Sequence, residues 1–206
     1  MSTILLLARH GETDDNARLV FQGQRGSGLN ARGRAQAERL AARVAGAVDA
    51  VVSSDLERAR ETAEIVARVA GVGVTIDAAL REVDVGAWTG LSQDDVAARF
   101  PEEWAAWRAG IDVPRGGGET YAALAQRALT ALTSIARAAR GKRVLVVSHG
   151  AALRTAVCKV LGLVPSATAP LAGMRNAALT TLAFDEAGEP NLLAYNDAAH
   201  LADLPE

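Results

Sequence analysis

The sequence predicts an α/β protein: three α/β/α layers with a mostly parallel central sheet, and a small cap excursion over the carboxyl ends of its strands. Three observations carry this. Short apolar runs of strand length alternate with amphipathic stretches of helical period along most of the chain. Two of those runs, Ile4–Leu7 and Val144–Val147, end in the same way, with a histidine followed by glycine. One stretch, about residues 80–118, breaks the alternation and carries all three tryptophans, Trp88, Trp104 and Trp107.

The elements follow in order. Thr3–Leu7 reads as a buried strand ending at Arg9-His10-Gly11. Asn30 is placed to cap a helix running to Arg43, with Gln36, Arg39 and Arg43 outward and Ala37, Leu40 and Val44 inward. Ala50–Val52 is the second strand. Ser54 and Glu57 have capping-box spacing for a helix to about Val69, with Leu56, Ala59, Ala63, Val66 and Ala70 as its apolar stripe. Val74–Ile76 is a third short strand. Within the excursion, Ser92–Arg99 and Glu102–Arg108 have helical character, and Gly116–Gly118 reads as a flexible lead-in to a helix over Thr120–Arg140. That Gly-rich run follows no strand, so it is not a dinucleotide-binding turn. Arg143–Val147 is the clearest strand and Ala151–Leu161 the helix after it. Leu179–Phe184 and Leu192–Tyr195 can pair across the Glu186–Pro190 turn.

Composition narrows the function classes. The 206 residues are 50% hydrophobic and 22% charged with a net charge of −2, which suits one domain over residues 1–206 and excludes a disordered chain. The absence of a basic run argues against nucleic acid as a partner. The apolar runs are too short for a membrane span, and no secretory leader is recognisable, so a cytoplasmic protein is expected. Cys158 is the only cysteine, with no disulfide partner or zinc-site companion. Only Lys142 and Lys159 among the 22 basic residues are lysines, so an arginine here signals an anion site only by its position.

In a sheet of this kind ligands bind beyond the carboxyl ends of the strands. His10 and His149 both fall there. Either one alone reads as well as a strand terminus with a hydrogen-bonded ring; the repeated placement, with Arg9 directly before one of them, favours a site. Gly150 sets His149 at a helix N-terminus, where the dipole favours an anion. Arg58 falls in the first turn of the helix after the second strand, an adverse position for a cation unless an anion binds, though Arg60 competes with it. Glu82, flanked by apolar residues, suits a half-buried proton donor, and Asp84 fits nearly as well.

These residues also form ordered blocks. Arg9-His10-Gly11-Glu12-Thr13 with Asn16, Gln22-Gly23, Leu29 and Gly33 is followed by Ser54–Ala59 with Thr62-Ala63. Then come Leu80-Arg81-Glu82 with Gly86, Trp88 and Gly90, next Gly117–Thr120, and last Val147–Gly150. The whole chain thereby resembles the histidine phosphatase superfamily, the phosphoglycerate-mutase-like fold. The resemblance implies His10 as nucleophile, Glu82 as proton donor, and Arg9, Arg58 and His149 as the phosphate pocket. It implies phosphate or substrate contacts from Asn16, Gln22, Gly23 and Gly150, with Asn176 as a further pocket contact. It chooses Arg58 over Arg60 and Glu82 over Asp84. The family often has Asp after Gln-Gly, where this chain reads Gln24-Arg25-Gly26, so Arg25 is assigned to substrate choice.

The expected activity is metal-independent phosphomonoester hydrolysis through a phosphohistidine, with no cofactor, on small phosphorylated metabolites of sugar phosphate or phosphoglycerate type. Arg9 and Arg58 would keep His10 unprotonated, and the same cations oppose protonation of Glu82 until a phosphate dianion offsets them, so an optimum on the acid side of neutral is expected. Gly173-Met174 and Asn196–Leu201 are similar to actinobacterial sugar-phosphoglycerate phosphatases. A cofactor-dependent phosphoglycerate mutase is the alternative, and such chains are usually longer. A non-catalytic phospho-ligand binder is the third reading, though a binder would be expected to have lost His10 or Glu82. A homodimer is compatible with the sequence. His200 reads as a packing or surface residue, and the tryptophans as cap core.

Overall fold

Hydrogen bonding joins six strands into one sheet in the computed structural model, which describes residues 2–204. The strands are β1 (Thr3–Arg9), β2 (Ala50–Ser53), β3 (Val74–Ile76), β4 (Arg143–Ser148), β5 (Leu179–Phe184) and β6 (Pro190–Asp197), in spatial order β3-β2-β4-β1-β5-β6. The first four in that order are mutually parallel; β5 is antiparallel to both β1 and β6. Seven α-helices accompany them among the described residues: α1 (Asp14–Ala17), α2 (Ala31–Val44), α3 (Glu57–Ala70), α4 (Gln93–Arg99), α5 (Pro101–Arg108), α6 (Tyr121–Ala138) and α7 (Gly150–Val160). None of them is long and apolar enough to cross a membrane.

The two faces of the sheet follow the period of two of an extended chain. Leu5 and Leu7 of β1, with Val144 and Val146 of β4, pack on the side of α6 and α7; Leu6 and Ala8, with Leu145 and Val147, pack on the side of α2 and α3. Because both faces are covered, these strands read as unbroken apolar runs. Each fully buried leucine contributes about 1.5–3 kcal/mol. Register then sets the site. Leu7 lies opposite Val146 and Arg9 opposite Ser148, so the next residues, His10 and His149, leave adjacent strands at the same level.

The excursion is no separate layer. Leu80, Val83, Val85, Trp88 and Val96 join the core on the α6–α7 side, and Phe21, Trp104 and Trp107 pack against them. Trp88 lies 5.4 Å from Phe21 and 6.1 Å from Trp107, ring centre to ring centre. The tryptophans are cap core, as expected. Asp112 closes the excursion: its carboxylate accepts the amides of Tyr121 (2.6 Å) and Ala122 (2.9 Å), capping α6 together with Thr120.

Three local expectations need correction. Gln36 faces inward: it is buried, and its Oε1 accepts the Glu12 amide at 2.9 Å, so a polar residue on the inner side of α2 ties down the loop after β1. Ser54 does not box with Glu57. Its hydroxyl accepts the Leu56 amide and meets His149, while α3 starts from Leu56 without a side-chain cap. Gly116–Gly118 is not a loose lead-in. Gly116 has φ +55°, and a Cβ there would strike the backbone of Val85, Ala87 and Trp88. The glycines let two backbone segments lie against each other, which locks the segment after Glu82. A similar approach holds the first loop, where a Cβ on Gly33 would overlap the Glu12 carbonyl. The helix at Asn30 forms as predicted, with Asn30 accepting the Gly33 amide at 2.8 Å, a cap of about 1 kcal/mol.

Candidate active site

β1 ends in a cleft of about 170 Å³ lined by Arg9, His10, Asn16, Gln22, Gly23, Arg58 and Glu82, with Val83, Val85, Arg115 and Tyr121 from the cap side. A larger groove, about 470 Å³, lies at the opposite end of the sheet around Thr3, Arg137 and Phe184, and holds none of the candidate residues.

His10 is nearly fully buried and held on every side. Its amide donates to Ser148, its carbonyl accepts from Asn176 Nδ2 (3.0 Å), and the next amide, Gly11, donates to Thr62. The ring has two different partners. Nδ1 lies 2.6 Å from the Gly11 carbonyl, which can only accept, and Nε2 lies 3.2 Å from Arg58 Nε, which can only donate. The proton therefore sits on Nδ1, and Nε2 carries the lone pair in the cleft. Burial, with Arg58 and Arg9 adding to it, holds this ring well below the ordinary histidine range.

Arg58 is 2% exposed and spends its other nitrogens on the Arg25 carbonyl (2.6 Å) and the Gly23 carbonyl (2.7 Å). Burial pulls its guanidinium down to about 10. Arg60 is exposed and pairs with Glu64, away from the cleft that Arg58 lines. Arg9 donates to the Met174 carbonyl (2.7 Å), but its Nε is buried without a partner. Gly150 makes room for it, since a Cβ there would stand 3.3 Å from Arg9 Nε.

Glu82 is half-buried, and its carboxylate accepts the amides of Val83 (2.9 Å), Ala151 (3.1 Å) and Ala152 (3.0 Å). The α7 N-terminus is thus taken up by the Glu82 carboxyl rather than left open. Arg127 donates to the carbonyls of Ala79, Arg81 and Glu82 and pairs with Glu119 at 2.7 Å, which fixes the backbone that presents Glu82. Asp84 is exposed and binds the Gly86 amide, outside the cleft.

The remaining candidates divide. Asn16 closes a capping box with Thr13 and accepts from Asn176 Nδ2 at 3.2 Å; Gln22 donates to Thr13 at 2.9 Å. Asn176 therefore braces His10 and Asn16 from outside the cleft wall. His149 is fully buried, 5.2 Å from His10 ring to ring, with Nε2 at 2.8 Å from Ser54 Oγ and Nδ1 without a partner. Arg25 is not brought in: its side chain is exposed, and only its carbonyl serves the site, through Arg58. His200 bonds the Ala177 carbonyl at 3.1 Å and does not line the cleft. Sequence reasoning missed Arg115, Tyr121 and Arg127, and read Ser54 as a helix cap rather than as the partner of His149. Among the described residues no cluster of three or more His, Cys, Asp or Glu side chains could hold a metal ion.

Burial, with Arg58 as the next cause, also holds His149 well below the ordinary histidine range. Both rings are depressed in the fold relative to the unfolded chain, so below about pH 6.5 the unfolded state binds more protons. Their contribution to stability is present above that pH and is lost as the pH falls below it. Denaturant titrations between about pH 6 and pH 5 should show the two rings costing up to about 2.7 kcal/mol per pH unit, and His149→Gln should remove about half of that slope.

The comparisons agree on the family. The family model of the histidine phosphatase superfamily (branch 1) matches residues 5–198. The chain is 36% identical over 186 residues to the probable phosphoglycerate mutase GpmB of Salmonella choleraesuis (strain SC-B67), covering 87% of this chain and 84% of that protein. Among solved structures, a mycobacterial glucosyl-3-phosphoglycerate phosphatase superposes with a TM-score of 0.86 at 29% identity, over 95% of this chain and 99% of that one. Phosphoserine phosphatase from Entamoeba histolytica, in complex with 3-phosphoglyceric acid, gives 0.86 at 27% identity over 97% and 99%. Bacillus stearothermophilus YhfR gives 0.89 at 31% over 97% and 99%. With this fold, and with two histidines and two arginines gathered at the ends of adjacent strands, the chain belongs to branch 1 of the histidine phosphatase superfamily.

Proposed function

We propose that the protein is a metal-independent phosphomonoester hydrolase that works through a phosphohistidine on small phosphorylated metabolites. The observation that carries this is the His10 ring. Its proton is committed to the Gly11 carbonyl, and its unprotonated Nε2, which accepts from Arg58 Nε, lies in a cleft with cationic walls. A phosphomonoester supplies what the unpartnered Arg9 Nε lacks, and its phosphoryl oxygens would also accept from the Arg58 N–H groups not spent on His10, Gly23 and Arg25. With the Ser54 hydroxyl donating to His149 Nε2, the remaining ring proton, on Nδ1, is a third donor.

In the first step the Nε2 lone pair attacks phosphorus, the bond to the leaving oxygen breaks, and that oxygen takes a proton from the Glu82 carboxyl. In the second, water attacks the phosphohistidine and gives its proton to Glu82, and the N–P bond breaks to release phosphate. The guanidinium groups of Arg9 and Arg58 stabilise the charge on the transferring group. Partial exposure of Glu82 leaves water a path to the carboxyl, which favours hydrolysis. The phosphatase names of several structural neighbours point the same way.

The second reading, a phosphoglycerate mutase, is favoured by the names of the sequence relatives. Phosphate release in excess EDTA at about pH 6 decides between them, with p-nitrophenyl phosphate, phosphoglycerates, sugar phosphates and nucleotides as substrates. Release from one or more is expected, with greater activity on the acid side of neutral. Interconversion of phosphoglycerates without release would establish the mutase, and neither chemistry would leave a binding protein.

A further inference from the structure

Three guanidinium groups line the cleft, and the mechanism above uses two. The third, Arg115, comes from the excursion rather than from a strand end, and it is 2% exposed. Its surroundings do not explain its charge. No carboxylate lies within ion-pair distance of it among the described residues, and Glu103 accepts the neighbouring Gly116 amide with its Oε2 at 2.8 Å. Its one hydrogen bond to protein is a long one, Nη2 to the Glu119 carbonyl at 3.3 Å, and its Nε is buried without a partner. The guanidinium plane stands over the Tyr121 ring at 3.8 Å, a contact that orients it but satisfies no N–H.

Other arginines show what a purely structural guanidinium looks like in this protein. Arg127 binds three carbonyls and a carboxylate; Arg154 binds the carbonyls of Ser166, Ala167, Ala169 and Leu171. Arg127 spends all five of its N–H donors, and Arg154 four of its five. A buried cation left with one weak bond is costly unless something else completes it.

We infer that Arg115 binds a second anionic group of the substrate, a carboxylate, and makes this cleft selective for phosphorylated carboxylic acids over neutral phosphate esters. The inference rests on the phosphomonoester reading and deepens it. Arg9, Arg58 and His10 fix the phosphoryl group at the sheet edge. Glu82 must stand at the leaving oxygen, so the rest of the substrate extends towards the cap side, where Arg115, Tyr121, Val83 and Val85 form the wall. Charge agrees with this. Once Glu82 carries the proton it delivers, a phosphoryl dianion offsets two guanidiniums, and a third positive charge remains for a carboxylate. The planar fork of Arg115 matches a carboxylate in two-point contact.

The test measures binding to the His10→Ala protein, which does not turn over its ligand, by the fluorescence of the cap tryptophans. 3-Phosphoglycerate and glycerol 3-phosphate are the probes, alike in size and differing in the carboxylate. The acid is expected to bind roughly 10- to 100-fold tighter. Adding Arg115→Met should bring that ratio close to one, and Arg115→Lys should keep part of it. Equal affinity for the two esters before Arg115 is changed would overturn the inference, and so would an Arg115→Met loss of the same size on both. If neither ester nor inorganic phosphate binds, the phosphomonoester reading fails first, and the inference falls with it.

Discussion

Replacing His10 by alanine is expected to lower phosphate release by about four orders of magnitude or more, the loss that follows when a covalent nucleophile is removed. The structure gives the reason in atoms. No other unprotonated nitrogen in the cleft has its lone pair set by two opposed partners, and His149 is fully buried and engaged with Ser54. Loss of folding is not the expected cause, because the backbone bonds of residue 10 to Ser148, Asn176 and Ala177 do not involve the ring. The check is initial-rate phosphate release on the best ester of the panel, beside thermal melts of both proteins. A variant that keeps more than about a tenth of the activity would remove His10 from the chemistry.

Glu82→Gln should separate substrates by leaving group. With an alkyl phosphate the departing alkoxide needs a proton, so a loss of roughly 10²- to 10⁴-fold is expected. With p-nitrophenyl phosphate the departing nitrophenolate is stable without one, and the loss should be at least tenfold smaller. Folding should change little: the glutamine oxygen can still accept from the Ala151–Ala152 helix end, and about 1 kcal/mol is at stake in the bond it gives up. Asp84→Asn serves as the comparison, since Asp84 is exposed and holds only the Gly86 amide. Losses of equal size on both substrates would mean that Glu82 holds the site together and donates no proton.

The parts of this protein that were legible in the sequence are those set by local period and local chemistry. The strands from Thr3 and Arg143 declare themselves by apolar runs, because both of their faces are covered, and the equal level of His10 and His149 follows once those strands pair in register. Asn30 reads as a cap because its side chain serves an amide three residues on. What stayed hidden depends on neighbours distant in the chain. Gln36 looks like an outward residue of its helix until the Glu12 amide arrives from the loop after the first strand. Gly116–Gly118 looks flexible until the backbone of Val85–Trp88 lies against it. Arg115 and Arg127 were lost among twenty arginines, and only packing shows that one has its donors satisfied and the other does not. For Arg25 the sequence signal was a departure in a loop; the structure uses that residue for its carbonyl.

The central claim is that His10 Nε2 takes the phosphoryl group. The most direct measurement mixes protein and substrate for milliseconds, quenches in alkaline denaturant, where phosphohistidine survives, and maps the modified peptide by mass spectrometry. The account predicts a phosphoryl adduct on His10, attached at Nε2, and no adduct in the His10→Ala protein. Turnover with no adduct on His10 at any quench time, or an adduct on His149 in its place, would contradict it.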